Sequence, residues 1–192
     1  MSKSLVTPMI YPEDTVLIII DMQESFRKVI HNFDLVLNSI CFLARASKVL
    51  KIPIIATEQY PEGLKETVGE LADYIDKKVT KFAFNAFNSE EFRKTLESLG
   101  RKNIVLTGIE THICVLQTAL SARSHGYNVY LAYDATGSAF NIDKEVAVRI
   151  MSDSGVVVVT SESLVYGMLT SSKDPIFKEI LPLVKEFRKI RK

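Results

Sequence analysis

The sequence predicts a three-layer α/β fold, a mainly parallel six-stranded sheet covered by helices on both faces. Three observations carry this expectation. Short runs that are apolar at every position recur along the chain, longer amphipathic stretches separate them, and no repeat, low-complexity tract or linker interrupts the rhythm. A strand buried on both faces loses its polar alternation, and strand–helix–strand spacing of this kind argues for βαβ crossovers. The 192 residues suit a single domain spanning 1–192.

The first strand is "TVLIII", 15–20, and Asp21 follows it directly. A helical stretch over 33–50 leads to "IPIIAT", 52–57, and then to "EQY", Glu58 to Tyr60. "KKVTKF", 77–82, is a weaker strand that contains Lys81, and 89–99 is helical. "NIVLTG", 103–108, runs into "GIETHIC" and a helix over 112–125. "NVYLAY", 128–133, precedes Asp134 and a helix over 143–153, and "GVVVVT", 155–160, is the last strand. "SSKDP", 171–175, turns into a final helix over 174–189, with Pro175 in its first turn. Ligands of open parallel sheets bind beyond the carboxyl ends of the strands, so the polar residues that end these runs are the candidates for chemistry.

Composition narrows the function. The chain is 47% hydrophobic and 24% charged, with 24 basic and 23 acidic residues. A net charge of +1 supplies no broad field for nucleic acid or an anionic membrane. The basic end "KEFRKIRK" reads as a solvated last helical turn whose charge suits the helix dipole. Two cysteines, Cys41 and Cys114, make neither a disulfide framework nor a zinc cluster. "MSKSLVTPMI" has no long apolar core, and no apolar run is long enough to span a bilayer. The expected compartment is the cytoplasm, with organelles still open.

His112 and Cys114 pose the sharpest question. A metal pair, a Cys–His dyad, a nucleophile with distant partners and an inert core thiol are all readings of "HIC". On a regular helix two positions turn the side chain by about 200°, which sets the two residues facing apart. Cys41 shares a helical face with Leu37 and Ala44 and reads as core. Cys114 has Gln117, Thr118 and Ser121 as helical neighbours and is off the apolar stripe of Ile113, Leu116 and Leu120. With Thr111 as N-cap, Cys114 falls in a first turn whose N–H groups and dipole favour a thiolate or an oxyanion. Asp21, after an apolar run, is a candidate proton acceptor; Lys81, by spacing alone, reads as surface. His31, His112 and His125 are scattered and read as structural or surface residues.

"IIIDMQESF" (18–26), "TEQYPEGL" (57–64), "KFAFNAF" (81–87) and "GIETHICVLQTAL" (108–120) together resemble the isochorismatase-like cysteine hydrolases, and among them the eukaryotic isochorismatase-domain-containing proteins. The resemblance covers nearly the whole chain. It implies strand order 3-2-1-4-5-6 and a catalytic triad of Asp21, Lys81 and Cys114. It also implies a non-proline cis peptide at Ile109–Glu110 and an oxyanion hole from the N–H groups of Glu110 and Cys114. In the nicotinamidase branch an Asp-x-His element after the second strand binds a metal. "TEQYPEGL" has no histidine, so no metal and no cofactor are expected. Isochorismate-cleaving members lack the cysteine, so Cys114 points to a small amide, carbamoyl or related acyl substrate. Gln23, Phe26, Tyr60, Phe82 and Phe87 are the expected pocket residues, and a homo-oligomer is expected. The competing function is a catalytically silent scaffold or a redox-responsive thiol protein.

Overall fold

The computed structural model describes residues 10–169 and 171–190. The N-terminal segment 1–9 and the last two residues of the basic end, on which two expectations above partly fall, lie outside this range. The strands are β1 (Thr15–Ile20), β2 (Ile54–Gln59), β3 (Lys77–Lys81), β4 (Asn103–Ile109), β5 (Asn128–Gly137) and β6 (Val157–Val159). The helices are α1 (Phe33–Val49), the short α2 (Pro61–Leu64), α3 (Glu90–Ser98), α4 (Leu116–Ser124), α5 (Asn141–Asp153), α6 (Ser161–Gly167) and α7 (Pro175–Ile190). The sheet order is β3-β2-β1-β4-β5-β6, with every neighbouring pair parallel.

Every residue of β1 is buried, because the strand is central and covered on both faces. Leu17 and Ile19 join one apolar cluster with residues of α1, α6 and α7. Val16, Ile18 and Ile20 join the other with residues of α3, α4 and α5. Each such branched side chain contributes roughly 1.5–3 kcal/mol by leaving water. No helix among the described residues is long and apolar enough to cross a membrane.

The local differences from expectation have local causes. β2 begins and ends two residues later than the apolar run, so Glu58 and Gln59 are strand residues paired with Thr80 and Lys81. β5 continues to Gly137 past a register shift in its pairing with β4, so Asp134 lies within the strand. Lys144, from α5, donates to the carbonyls of Tyr133 and Thr136 at 2.8 and 2.7 Å and ties the helix to this irregular stretch. α6 was not anticipated. Its seven residues are too few to show a periodicity, although Thr160 caps it by accepting from the Ser163 N–H.

Gly108 marks where β4 passes closest to β1. Its φ is +106°, and a Cβ there would lie 2.0 Å from the Ile20 carbonyl oxygen. The three nearest atoms all belong to the Ile20 backbone, so nothing flexible can yield. Gly108→Ala is expected to lower stability by at least about 2 kcal/mol, from strain and overpacking together. Urea unfolding measures this; an unchanged midpoint would refute it.

Candidate active site

The parallel register brings the ends of β1, β2, β3, β4 and β5 to one edge. Order reverses between β1 and β4, and there Asp21 meets the turn after β4. Asp21 has φ +48°, a left-handed turn that aspartate tolerates better than bulkier residues. Its N–H donates to the Thr57 carbonyl at 3.1 Å. Its Oδ1 accepts from Thr57 Oγ1 at 2.7 Å, and its Oδ2 accepts from Lys81 Nζ at 2.6 Å. The two side chains of this ion pair are 1% and 0% exposed. Lys81 Nζ also donates to Gln59 Oε1 at 2.7 Å, and Gln59 in turn donates to the Phe82 carbonyl.

The expectation of a surface Lys81 is therefore corrected. In β3 the burial alternates, with Val79 and Lys81 inward and Lys78 and Thr80 outward. The strand period of two puts Lys81 on the apolar residue's face, a signal present in the sequence but outweighed there by the solvated habit of lysine. Thr57 and Gln59 hold the pair; Gln59 falls within the "EQY" that ends the second apolar run, whereas Thr57 was not singled out.

Cys114 is buried in a π-helical turn, Thr111–Val115, that leads into α4. The wider turn replaces the expected regular first turn. Thr111 is not its cap: its hydroxyl donates to the Gly137 carbonyl at 3.0 Å, fastening the turn to β5. Ile113 and Val115, flanking Cys114, both donate to the Glu110 carbonyl, at 3.1 and 3.2 Å. The Ile109–Glu110 peptide is cis, and Glu110 Oε2 accepts from the Ala139 N–H at 2.8 Å. His112 turns away from the thiol. Its Nδ1 lies 3.0 Å from Ser138 Oγ and its Nε2 3.9 Å from Asp143 Oδ2.

Cys114 lies close enough to Asp21 and Lys81 for both to act on its thiol. Burial pushes it up to about 12; the Asp21 charge pushes the same way and Lys81 opposes. The helix-terminal field expected to favour a thiolate is opposed by burial beside a carboxylate, which favours the protonated thiol. Burial also pushes Cys41, half-buried on α1, up to about 11. A thiol whose value is raised on folding stabilises the fold below its unfolded value of about 8.5. That contribution is lost as pH climbs towards about 11 for Cys41 and about 12 for Cys114. Followed by thiolate absorbance, the folded protein is expected to show no step near pH 8.5, while urea-unfolded protein titrates both cysteines at about that pH. A step there in the folded protein would contradict the buried arrangement.

Against this geometry, the sequence matches the isochorismatase domain over residues 15–163, which takes in Asp21, Lys81 and Cys114. The chain belongs to the isochorismatase family. The mouse isochorismatase domain-containing protein 2A is 36% identical over 178 residues, covering 92% of this chain and 85% of its own. A solved structure from Caenorhabditis elegans, named MAR1 ribonuclease, has a TM-score of 0.87 and 33% identity, with 92% of each chain covered. The YcaC gene product from Escherichia coli, named an octameric hydrolase of unknown specificity, has a TM-score of 0.86 at 21% identity, covers 99% of this chain and 97% of its own, and shares the fold. Isochorismatase family membership supports a hydrolase function.

The expected pocket residues separate once placed on this isochorismatase fold. Tyr60 and Phe82 stand at the ends of β2 and β3, both exposed, with ring centroids 6.0 Å apart. Tyr60 is seated over Gly63, whose absent Cβ would fall 2.4 Å from the ring. Gln23 has a structural set of partners. It is fully buried, and its amide bonds the Gln59 carbonyl, the Gln59 N–H and the Lys65 carbonyl at 3.0, 2.9 and 2.5 Å. It straps the 60–67 loop to the turn after β1. Phe87 is core as well, packed on Phe92, His125 and Tyr127 at 5.4, 4.8 and 6.0 Å. Phe26 is half-buried against the α1-side cluster. Among the described residues, no three His, Cys, Asp or Glu side chains gather as a metal site.

Proposed function

We propose that this chain is a cysteine hydrolase in which Asp21, Lys81 and Cys114 act together on a small amide, carbamoyl or related acyl substrate. The observation that carries the reading is the buried Asp21–Lys81 ion pair set against a buried thiol at the point where strand order reverses. Two opposite charges taken out of water need a reason, since an apolar pair of similar volume is often as stable. Transferring a proton from a thiol is such a reason.

In this reading Cys114 Sγ attacks the substrate carbonyl carbon as its proton passes to Asp21. Lys81 balances the negative charge that moves between sulfur and carboxylate. The carbonyl electron pair becomes an oxyanion held by the Glu110 and Cys114 N–H groups. As the tetrahedral species collapses, the C–N bond breaks and the amine leaves with the proton from Asp21. Water then adds to the thioester carbonyl while Asp21 takes its proton. Cleavage of the C–S bond returns that proton to sulfur and releases the acid. Asp21 and Cys114 share one proton throughout, so an apparent pKa in the rate profile belongs to the pair.

A redox-sensor reading fares worse, because sensor thiols are acidic and exposed whereas Cys114 is buried and raised. The C. elegans relative is named a ribonuclease; the net charge of +1 here supplies no comparable reason to bind RNA. The test is a screen of small amides, carbamoyl compounds and esters, read by product formation and by intact mass of the quenched protein. An acyl adduct that maps to Cys114 is expected. Turnover with the adduct on another residue would overturn the assignment.

A further inference from the structure

We propose that Lys144 is a positioning residue for Cys114: its side-chain amine fixes the bulge of β5, and the bulge fixes the turn that carries the thiol. The bulge is large. Between the pairs Leu106–Leu131 and Gly108–Thr136, four β5 residues, Ala132 to Ala135, stand against the single β4 residue Thr107. A bulged strand loses ladder partners, and its buried carbonyls must find others. Lys144 supplies them from α5. Its Nζ donates to the Tyr133 and Thr136 carbonyls at 2.8 and 2.7 Å and lies 4.1 Å from the centre of the Tyr133 ring. Asp134 accepts from the N–H and hydroxyl of Ser161 at 2.7 and 2.9 Å, so α6 holds the bulge as well.

Lys144 is only 7% exposed, which is rare for a lysine. Burial pushes its amine down to about 8, with Asp134 opposing. An apolar residue would fill the space without that cost. The two bulge carbonyls are what the amine is needed for.

The strand leaves the bulge directly against the turn that carries Cys114. Gly137 pairs with Ile109, the residue before the cis peptide. The next three residues of that turn are met one by one. Glu110 Oε2 accepts from the Ala139 N–H at 2.8 Å, Thr111 donates to the Gly137 carbonyl at 3.0 Å, and His112 Nδ1 lies 3.0 Å from Ser138 Oγ. Glu110, Thr111 and His112 are consecutive, as are Gly137, Ser138 and Ala139, and Cys114 follows two residues later. A shift of the bulge therefore passes to the thiol. Misplacing a reacting atom by about 1 Å can cost on the order of 100-fold in rate. The task given to Cys114 rests on the hydrolase reading; its placement does not.

The test is the rate at which iodoacetamide alkylates each cysteine of the folded chain at pH 8.5, resolved by peptide mass spectrometry. Only the thiolate reacts, and burial beside Asp21 keeps that form of Cys114 scarce. Lys144→Met keeps the side-chain length and deletes the donors; Thr111→Val deletes the bond to Gly137. Each should speed alkylation of Cys114 at least about 10-fold, as the thiol moves towards its free value of about 8.5, and leave Cys41 unchanged. The double variant should be no faster than the faster single one, because both cut one chain of contacts. Met151→Ala loosens α5 against the sheet without touching the bulge contacts, and should leave Cys114 unchanged. An unchanged Cys114 in Lys144→Met, equal acceleration in Met151→Ala, or effects that multiply in the double variant would each overturn the proposal. So would acceleration of both cysteines together, which marks general loosening. None of these rates uses turnover, so failure here is distinct from failure of the hydrolase reading. On any substrate that acylates Cys114, Lys144→Met should lower kcat about 100-fold with KM held; a change in KM alone would also overturn it.

Discussion

Cys114→Ala is expected to abolish turnover of any substrate found by the screen, with kcat falling at least about 10⁴-fold. Removal of a nucleophile that works as one unit with its base has cost on the order of 10⁶-fold in a hydrolase where it was measured. The fold should survive. Cys114 is buried in the cluster beneath α4, and alanine removes one sulfur atom while leaving the backbone of the π-helical turn intact. The thermal midpoint should therefore move little while activity disappears, and that divergence is the diagnostic. Cys41→Ala serves as the control. That thiol is half-buried beside α7, far in the chain from the strand ends, and its loss should leave kcat unchanged. Unchanged turnover in Cys114→Ala would remove Cys114 from the mechanism.

Lys81→Met should cost about 3–5 kcal/mol of stability, the usual loss when one partner of a buried ion pair is deleted. The geometry explains the size. Asp21 would keep its bond from Thr57 but lose the 2.6 Å contact with Lys81, leaving a carboxylate buried without a counter-charge. In a chain of 192 residues each kcal/mol lowers Tm by about 2–4 °C, so the shift should be of order 10 °C. Asp21→Asn combined with Lys81→Met should recover much of the loss, because no lone charge is then buried. Urea unfolding of the wild type, both single variants and the double variant gives the coupling energy directly. A coupling near zero would show that the pair is not the buried unit described. The double variant should remain inactive, which separates the pair's contribution to stability from its contribution to catalysis.

Legibility varied residue by residue. Asp21 stood out because an acid directly after "TVLIII" has few local explanations. Lys81 was misplaced by spacing alone, although Val79 two residues earlier already named its face. The burial of Lys81 goes with acceptors at the end of β2 and just past β1, the second of them 60 residues away in sequence. Gln23 and Phe87 were expected at the pocket because they sit near site residues in sequence. In the structure, backbone partners engage the whole amide of one, and three rings engage the other. Thr111 was a sound N-cap on propensity, but the β5 carbonyl at Gly137 offered its hydroxyl another acceptor.

By itself the sequence determined the six strands, most of the helices and the family. These rest on local patterns: apolar runs, helical periods and contiguous motifs whose residues are neighbours in the chain. Only the tertiary structure decided that Lys81 is buried, that burial and the Asp21 charge raise the Cys114 thiol, that Ser138 is the partner of His112, and that one face of α5 is left uncovered. Each of these depends on which groups meet across the sheet. Dielectric, charge and hydrogen-bond competition act through space, between residues that the sequence keeps tens of positions apart.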